Sequence, residues 1–410
     1  MILHPARWTL SATTLTSTVL FLVLLTTPTL AQAEAGDLDA GLSLGAGQGG
    51  FTAPLDGGDQ WGAAVVSLGD LDGDGVPDLA VGAPGDDDGG PQHGAVWILF
   101  MAADGTVASH TKISETAGGF AGRLGNNVEF GHSLGCLGDL DGDGLPELAV
   151  GSPRDEDGGP KHGAVWILSL NADGSVRSEQ KISALNGGFT GELANGDEFG
   201  RAVTGIGDVD GDGVPDLAVG ALNDDDASPQ AGALWILLLN ADGTVKANPK
   251  ISGTQGGFGG DLDSNDEFAR SLASLGDLDG NGVADLAVGA LNDDDGGLDL
   301  GAVWIVFLAA DGSVVGEQKI SSTQGGFTGP LADGDGFGRG VAAVGDVDGN
   351  GVPDLLVGAP GADGAGLDRG AAWLLLLNAD GTVLGQRRYD PSTEPLIPGV
   401  PDGAALGLAL

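Results

Sequence analysis

Apolar and polar residues alternate along this chain in short bursts, and no stretch keeps the 3.6-residue rhythm of an amphipathic helix. Residues 199 to 252 serve as a sample: Phe199 to Ile206, Leu217 to Gly220, Ala233 to Leu239 and Val245 to Ser252 read as four extended stretches separated by turns. Asp242-Gly243, between the third and fourth stretches, is a tight-hairpin signal, because glycine takes positive φ without steric cost. The run Gly94 to Leu99 is apolar on both alternating faces, which suits a strand sandwiched between neighbouring sheets. It is bounded by glycine and too short for a buried helix.

The pattern recurs without insertion. The phrase Gly-Asp-x-Asp-Gly-[Asp/Asn]-Gly places its first aspartate at Asp70, Asp139, Asp208, Asp277 and Asp346, one every 69 residues. The same register carries an aromatic at Trp61, Phe130, Phe199, Phe268 and Phe337, and a tryptophan at Trp97, Trp166, Trp235, Trp304 and Trp373. A third aromatic column is Phe51, Phe120, Phe189, Phe258 and Phe327. A period this long marks a supersecondary unit that stacks on copies of itself. Four antiparallel strands per unit, packed face to face, predict an all-β fold: a β-propeller of five tandem blades over residues 38–390. Residues 38 to 45 align with a fourth strand and Leu406 to Leu410 with a first strand, so surplus pieces lie at both ends and ring closure is open. Residues 391–410 begin proline-rich and read as a tail or partial extra strand.

The turn after the first strand carries the chemistry. In Asp70-Leu71-Asp72-Gly73-Asp74-Gly75-Val76-Pro77-Asp78, carboxylates fall at positions 1, 3, 5 and 9, and the Val76 carbonyl is available at 7. Oxygen donors at that spacing, with glycine at position 6 for the sharp turn, form the hard-cation pattern of an EF-hand-like loop. The other sets are Asp139, Asp141, Asp143, Leu145 and Glu147; Asp208, Asp210, Asp212, Val214 and Asp216; Asp277, Asp279, Asn281, Val283 and Asp285; and Asp346, Asp348, Asn350, Val352 and Asp354. Ca2+ is expected over Mg2+ because a flexible loop with five protein oxygens suits a large, irregular coordination sphere, giving about five ions in all. Zn2+ is not expected without cysteine or paired histidine ligands.

Composition sharpens this reading. With 16 basic and 59 acidic residues the formal charge is -43, which repels phosphate backbones and argues against nucleic-acid binding. Residues 1–33 read as a signal peptide, with Arg7, an apolar core at Val19 to Leu25 and a small-residue cleavage site Ala31-Gln32-Ala33. The apolar core is shorter than the ~20 residues a membrane span needs, so no span is expected in the mature chain, which is assigned to the extracellular space or cell surface. Cys136 is the single cysteine, so no internal disulfide can form, and its counterparts Ser67, Gly205, Ser274 and Ala343 mark it as a space-filler. Metal ions are the natural staple in its place.

The units resemble the FG-GAP repeats of the integrin α-subunit propeller and of many bacterial exported proteins. Phe130-Gly131, Phe199-Gly200 and Phe337-Gly338 carry the first half of that name, and Gly82-Ala83-Pro84 and Gly358-Ala359-Pro360 the second. Trp61 and Ala269 depart from it, as do Gly151-Ser152-Pro153, Gly220-Ala221-Leu222 and Gly289-Ala290-Leu291. The family's propellers are usually seven-bladed, whereas five units are found here.

The resemblance implies an extracellular recognition or adhesion module with a protein or glycan ligand. A structural role in a calcium-crosslinked matrix is the alternative, and a propeller-borne glycan lyase or hydrolase a more distant one. No residue constellation breaks the repeat as a catalytic site would, so no enzyme is expected: His93 and His162 share a position that continues as Ala231, Leu300 and Arg369. Lys112, Lys181, Lys250, Lys319 and Arg388 form a basic column expected to pair with nearby acids. The acidic triplets Asp86 to Asp88, Asp155 to Asp157, Asp224 to Asp226 and Asp293 to Asp295 lie between the second and third strands and mark a candidate recognition face.

Overall fold

The computed structural model describes residues 9–11, 19–25, 38–362 and 370–390. Five four-stranded antiparallel blades are arranged as a β-propeller, and the described residues contain no helix. Blade one runs Val65–Gly69, Asp78–Ala83, Ala95–Met101 and Val107–Ile113, paired in that order. Blade two runs Leu134–Gly138, Glu147–Ser152, Ala164–Leu170 and Val176–Ser183. Blade four runs Phe268–Gly276, Asp285–Ala290, Ala302–Leu308 and Val314–Ile320, and blade five Val341–Gly345, Asp354–Ala359, Ala371–Leu377 and Val383–Tyr389.

Blade three differs in detail from its expected strands. Its first strand is Ala202–Gly207, because Phe199 bridges Gly163 and Gly200 turns the chain at φ +88° before pairing begins. Asp216–Ala221 and Ala233–Leu239 follow, and the fourth strand is split into Val245–Ala247 and Lys250–Ile251. Pro249 lies at the break, where it cannot donate to the ladder, although its carbonyl still accepts from the Ile236 N–H. The Asp242-Gly243 hairpin closes over a longer loop, Asn240 to Thr244, with Gly243 at φ +76°.

Burial follows strand order. The second strands are buried throughout, and the third nearly so, because their Ala, Val, Leu, Ile and Trp face a blade on either side. The fourth strands are the polar outer edges, anchored by buried ends such as Val107 and Ile113. Cores are shared between blades one and two, two and three, three and four, and four and five. The outer faces of blades one and five keep separate clusters, one around Leu44, Phe51 and Trp97 and the other around Leu356, Leu374 and Tyr389. Among the described residues no apolar cluster joins these two faces.

Each interface has a seat without side chains. A Cβ on Gly151 would lie 2.1 Å from the Gly200 carbonyl oxygen, and one on Gly82 2.0 Å from that of Gly131. Thus the glycine of one repeat's second strand receives the backbone of the next repeat's aromatic-glycine turn. An aromatic trio fills the same interface: Phe189 lies tilted against Phe199 at 5.0 Å and edge-on to Trp235 at 5.0 Å.

Leu38–Gly45 forms a strand that ends in the bridge Gly45 to Gln48, the counterpart of Ser114 to Ala117 after blade one. It pairs with Val19–Leu25, the segment read as a signal core, which pairs in turn with Thr9–Ser11. A mature chain starting at Glu34 would keep only the first of these strands. The tail at 391–410, including Leu406 to Leu410, lies outside the described residues.

Candidate metal centres

All five acidic loops join the first and second strands, so they emerge at one end of the propeller. In each, positions 1, 3 and 9 bring a carboxylate oxygen within 4.8 Å of one another: Asp70, Asp72 and Asp78; Asp139, Asp141 and Glu147; Asp208, Asp210 and Asp216; Asp277, Asp279 and Asp285; Asp346, Asp348 and Asp354. Backbone amides hold them there. Asp70 accepts from the Gly73 and Gly75 N–H groups, both at 2.9 Å, a winding that glycine allows with φ near +81° and +92°. Asp78, fully buried, accepts from Leu71 N–H at 3.0 Å and from Met101 N–H at 3.0 Å, tying the loop to the third strand.

Glu147 fills position 9 in the second repeat with one methylene more. Its Oε2 accepts from Leu140 N–H at 2.6 Å, and its buried Oε1 accepts no hydrogen bond. The nearest cation to that oxygen is the Arg177 guanidinium at 3.8 Å, and a buried carboxylate beside two others is costly unless a cation satisfies it. Burial pushes the carboxyl pKa up at Asp78, Glu147 and Asp354, and to about 6 at Asp216 and Asp285, with amide hydrogen bonds opposing and neighbouring aspartates adding to the rise. The donor set therefore fits a divalent ion.

Position 5 has further partners of its own, and at Asn281 and Asn350 it also donates to position 3, Asp279 and Asp348, at 3.2 and 3.3 Å. Asp74 accepts from Val76 N–H at 2.7 Å, and Asn281 and Asn350 donate to the Leu308 and Leu377 carbonyls at 2.9 and 3.0 Å. Asp143 and Asp212 pair with Arg177 and Lys246. Position 7, at Val76, Leu145, Val214, Val283 and Val352, enters through its amide, which donates to position 5.

The opposite end carries the connections between second and third strands, bonded to those that enter the next blade: Asn127 N–H donates to Pro91 O at 2.8 Å and Glu129 N–H to Gln92 O at 3.2 Å. The acidic triplets there are mostly structural. Lys112 holds Asp86 and Asp88 at 2.7 Å each, and Lys250 holds Asp224 at 2.6 Å and Asp226 at 2.7 Å. Lys181 and Lys319 repeat the arrangement, and all four ammonium groups also sit over the strand tryptophans. The basic column thus neutralises the first and third acids, leaving the middle ones, Asp87, Glu156, Asp225 and Asp294, exposed.

One cluster had not been singled out from the sequence. The residue two places after each repeat aromatic is Ala63, His132, Arg201, Arg270 or Arg339, and three of these are arginines close enough to repel one another. Glutamates compensate: Arg201 meets Glu198 at 3.1 Å, Arg270 meets Glu267 at 3.3 Å, and the field of Glu267 also reaches Arg339. Burial, then the field of Arg201, lowers the Arg339 pKa to about 10, and burial lowers His132 to about 4. The column is legible as a break in the repeat once its position is known. Cys136 is only half-buried, and its thiol pKa is raised by burial.

A family description, FG-GAP repeat, matches residues 62–99, 130–168, 199–237, 268–306 and 337–375. Integrin alpha-4 of Xenopus laevis is 31% identical over 165 residues, covering 39% of this chain and 14% of its own length. Integrin alpha-7 of Homo sapiens is 33% identical over 161 residues, covering 39% and 12%. Integrin alpha pat-2 of Caenorhabditis briggsae is 34% identical over 240 residues, covering 55% of this chain and 17% of its own length. The chain thus matches only a small part of each of these relatives. Among solved structures, a crystal structure of BBS1N in complex with ARL6DN aligns over 95% of this chain and 84% of that one, with 10% identity and a TM-score of 0.40. No helix among the described residues is long and apolar enough to cross a membrane.

Proposed function

Because the chain belongs to the FG-GAP repeat proteins and is similar to integrin α subunits, we propose that it is an exported, calcium-binding β-propeller acting as an extracellular recognition or adhesion module. The observation that carries the reading is the fivefold carboxylate triad, each with a fully buried carboxylate at position 9. Positions 1, 3 and 9 would hold the ion directly, with position 5 and the carbonyl of position 7 completing an oxygen cage. The bound cation would supply charge neutralisation, fastening each first strand to its second and third.

The chain has no disulfide to do this. At an extracellular-type affinity of roughly 10⁻⁴ M and calcium about a hundredfold above it, each filled loop adds ~2.7 kcal/mol. Export supplies that calcium, and residues 1–33 are assigned to it as a signal peptide. Recognition is assigned to the end opposite the metal loops, where adjoining connections from successive blades present repeated surface. No catalytic role is proposed.

Metal analysis of the purified mature chain, with melting curves before and after chelation, tests the calcium assignment. About five ions per chain and a melting temperature that drops on chelation are expected. Absence of stoichiometric uptake would remove the reading. A glycan and matrix-protein array with and without calcium tests recognition, and calcium-driven self-assembly without any ligand would favour a matrix role instead.

A further inference from the structure

The five loops share one carboxylate frame but differ in what stands over it. In blade two, Arg177 from the fourth strand lies across the loop, within 2.5 Å of Asp141, in contact with Asp143 and 3.8 Å from the buried Glu147 Oε1. In blade three, Lys246 at the same strand position is in contact with both Asp210 and Asp212. The corresponding residues of blades one, four and five are Ala108, Val315 and Leu384.

Two loops therefore carry a cation of their own, and three do not. Blades four and five depart further. Val315 and Leu384 are exposed apolar residues, and position 5 is Asn281 or Asn350, so the fourth strand places no basic side chain over these loops. A surface recess of about 420 Å³ opens beside Asp279, lined by Phe307, Val315, Gly316, Ala379 and Asp380.

We propose that the chain has two classes of cation site: open sites in blades one, four and five, and self-neutralised sites in blades two and three, where Arg177 and Lys246 compete with the metal for positions 3 and 5. This rests on the calcium reading above and adds a regulation to it. A divalent ion entering blade two or three must first displace a fixed positive charge or bind beside it, and at separations near 4 Å such repulsion lowers affinity by about tenfold or more. Blades two and three then keep their loops neutralised when calcium is scarce. Calcium depletion acts on blades one, four and five.

Calorimetric titration of the calcium-stripped mature chain with CaCl2 decides it. The expected isotherm has three ions in a tight class and two in a class weaker by about tenfold. The double variant Arg177→Ala with Lys246→Ala should bring all five into one class, whereas Arg177→Lys should preserve the split. In the opposite direction, Val315→Lys with Leu384→Lys should leave a single tight ion, a gain of charge at exposed positions that does not disturb the core. Five equal sites in the unaltered chain, or a split untouched by the alanine pair, would overturn the two-class assignment and leave the calcium reading standing. No uptake at all would remove both.

Discussion

Replacing Lys250 by methionine keeps the length of the side chain and deletes its charge. The ammonium lies 2.6 Å from Asp224 and 2.7 Å from Asp226, with side-chain exposures of 9%, 4% and 30%. It also sits 5.3 Å from the centre of the Trp235 ring. Burial lowers the lysine pKa, but its hydrogen bonds and attraction to the two aspartates outweigh that and leave it raised. In the variant Asp224 remains buried beside Asp197 with no counter-charge, a situation that costs roughly 3–5 kcal/mol, and the lost cation–π contact adds ~0.5–1 kcal/mol. Urea unfolding followed by tryptophan fluorescence, at fixed calcium, measures the loss. Adding Asp224→Asn should recover most of it, because an amide has no charge to strand. A Lys250→Met protein within about 1 kcal/mol of the parent would refute the argument. Lys250 would then be an ordinary surface ion pair, and the acidic triplets would again be free for a ligand.

Three further outcomes follow from the geometry. Burial, helped by Asp224 and Asp293 respectively, raises Asp197 and Asp266 to about 6 against an unfolded value of 3.8, so their contribution to stability is complete below pH 3.8 and is lost as pH rises through about 6. The Asp197→Asn, Asp266→Asn protein should therefore be the more stable of the pair above pH 6, by on the order of 2 kcal/mol per site, with the gap closing toward pH 4, as read from urea midpoints across pH. Ala269 adopts φ +65° where the neighbouring repeats place glycine, so Ala269→Gly should raise stability by about 1 kcal/mol in the same assay. Gly151→Ala would press a methyl to 2.1 Å from both the Gly200 carbonyl and the Ser133 hydroxyl, and should lower stability by about 1–3 kcal/mol or more, seen as a lower melting temperature.

The repeat was legible because its landmarks perform single physical tasks at fixed spacing: Trp235 fills a blade interface, Gly220 seats a carbonyl, Asp216 ties a loop to the third strand. Strand limits were less legible. Phe199 belongs by composition to the strand that follows, yet its backbone bridges Gly163 of the previous blade. The pairing of Lys250 with Asp224 followed from charge alone, but its depth did not, since burial depends on the neighbouring blade. Position 5 of the acidic loops reads from loop spacing as a ligand like the others; what spacing cannot show is that Asp143 also faces Arg177, a residue 34 positions away that only the fourth strand brings near. The arginines two places after the repeat aromatics were missed for a similar reason: their meeting is a property of several blades together, and no single repeat contains it.

The bare glycine seats between blades have a consequence for how such a molecule can change in size. Since one repeat meets the next through main-chain atoms at fixed points as well as through a shared apolar core, the angle from unit to unit is fixed in part by peptide geometry. A duplicated unit spliced between two others would find the same docking points on either flank, so copy number can drift while the pitch of the assembly stays put.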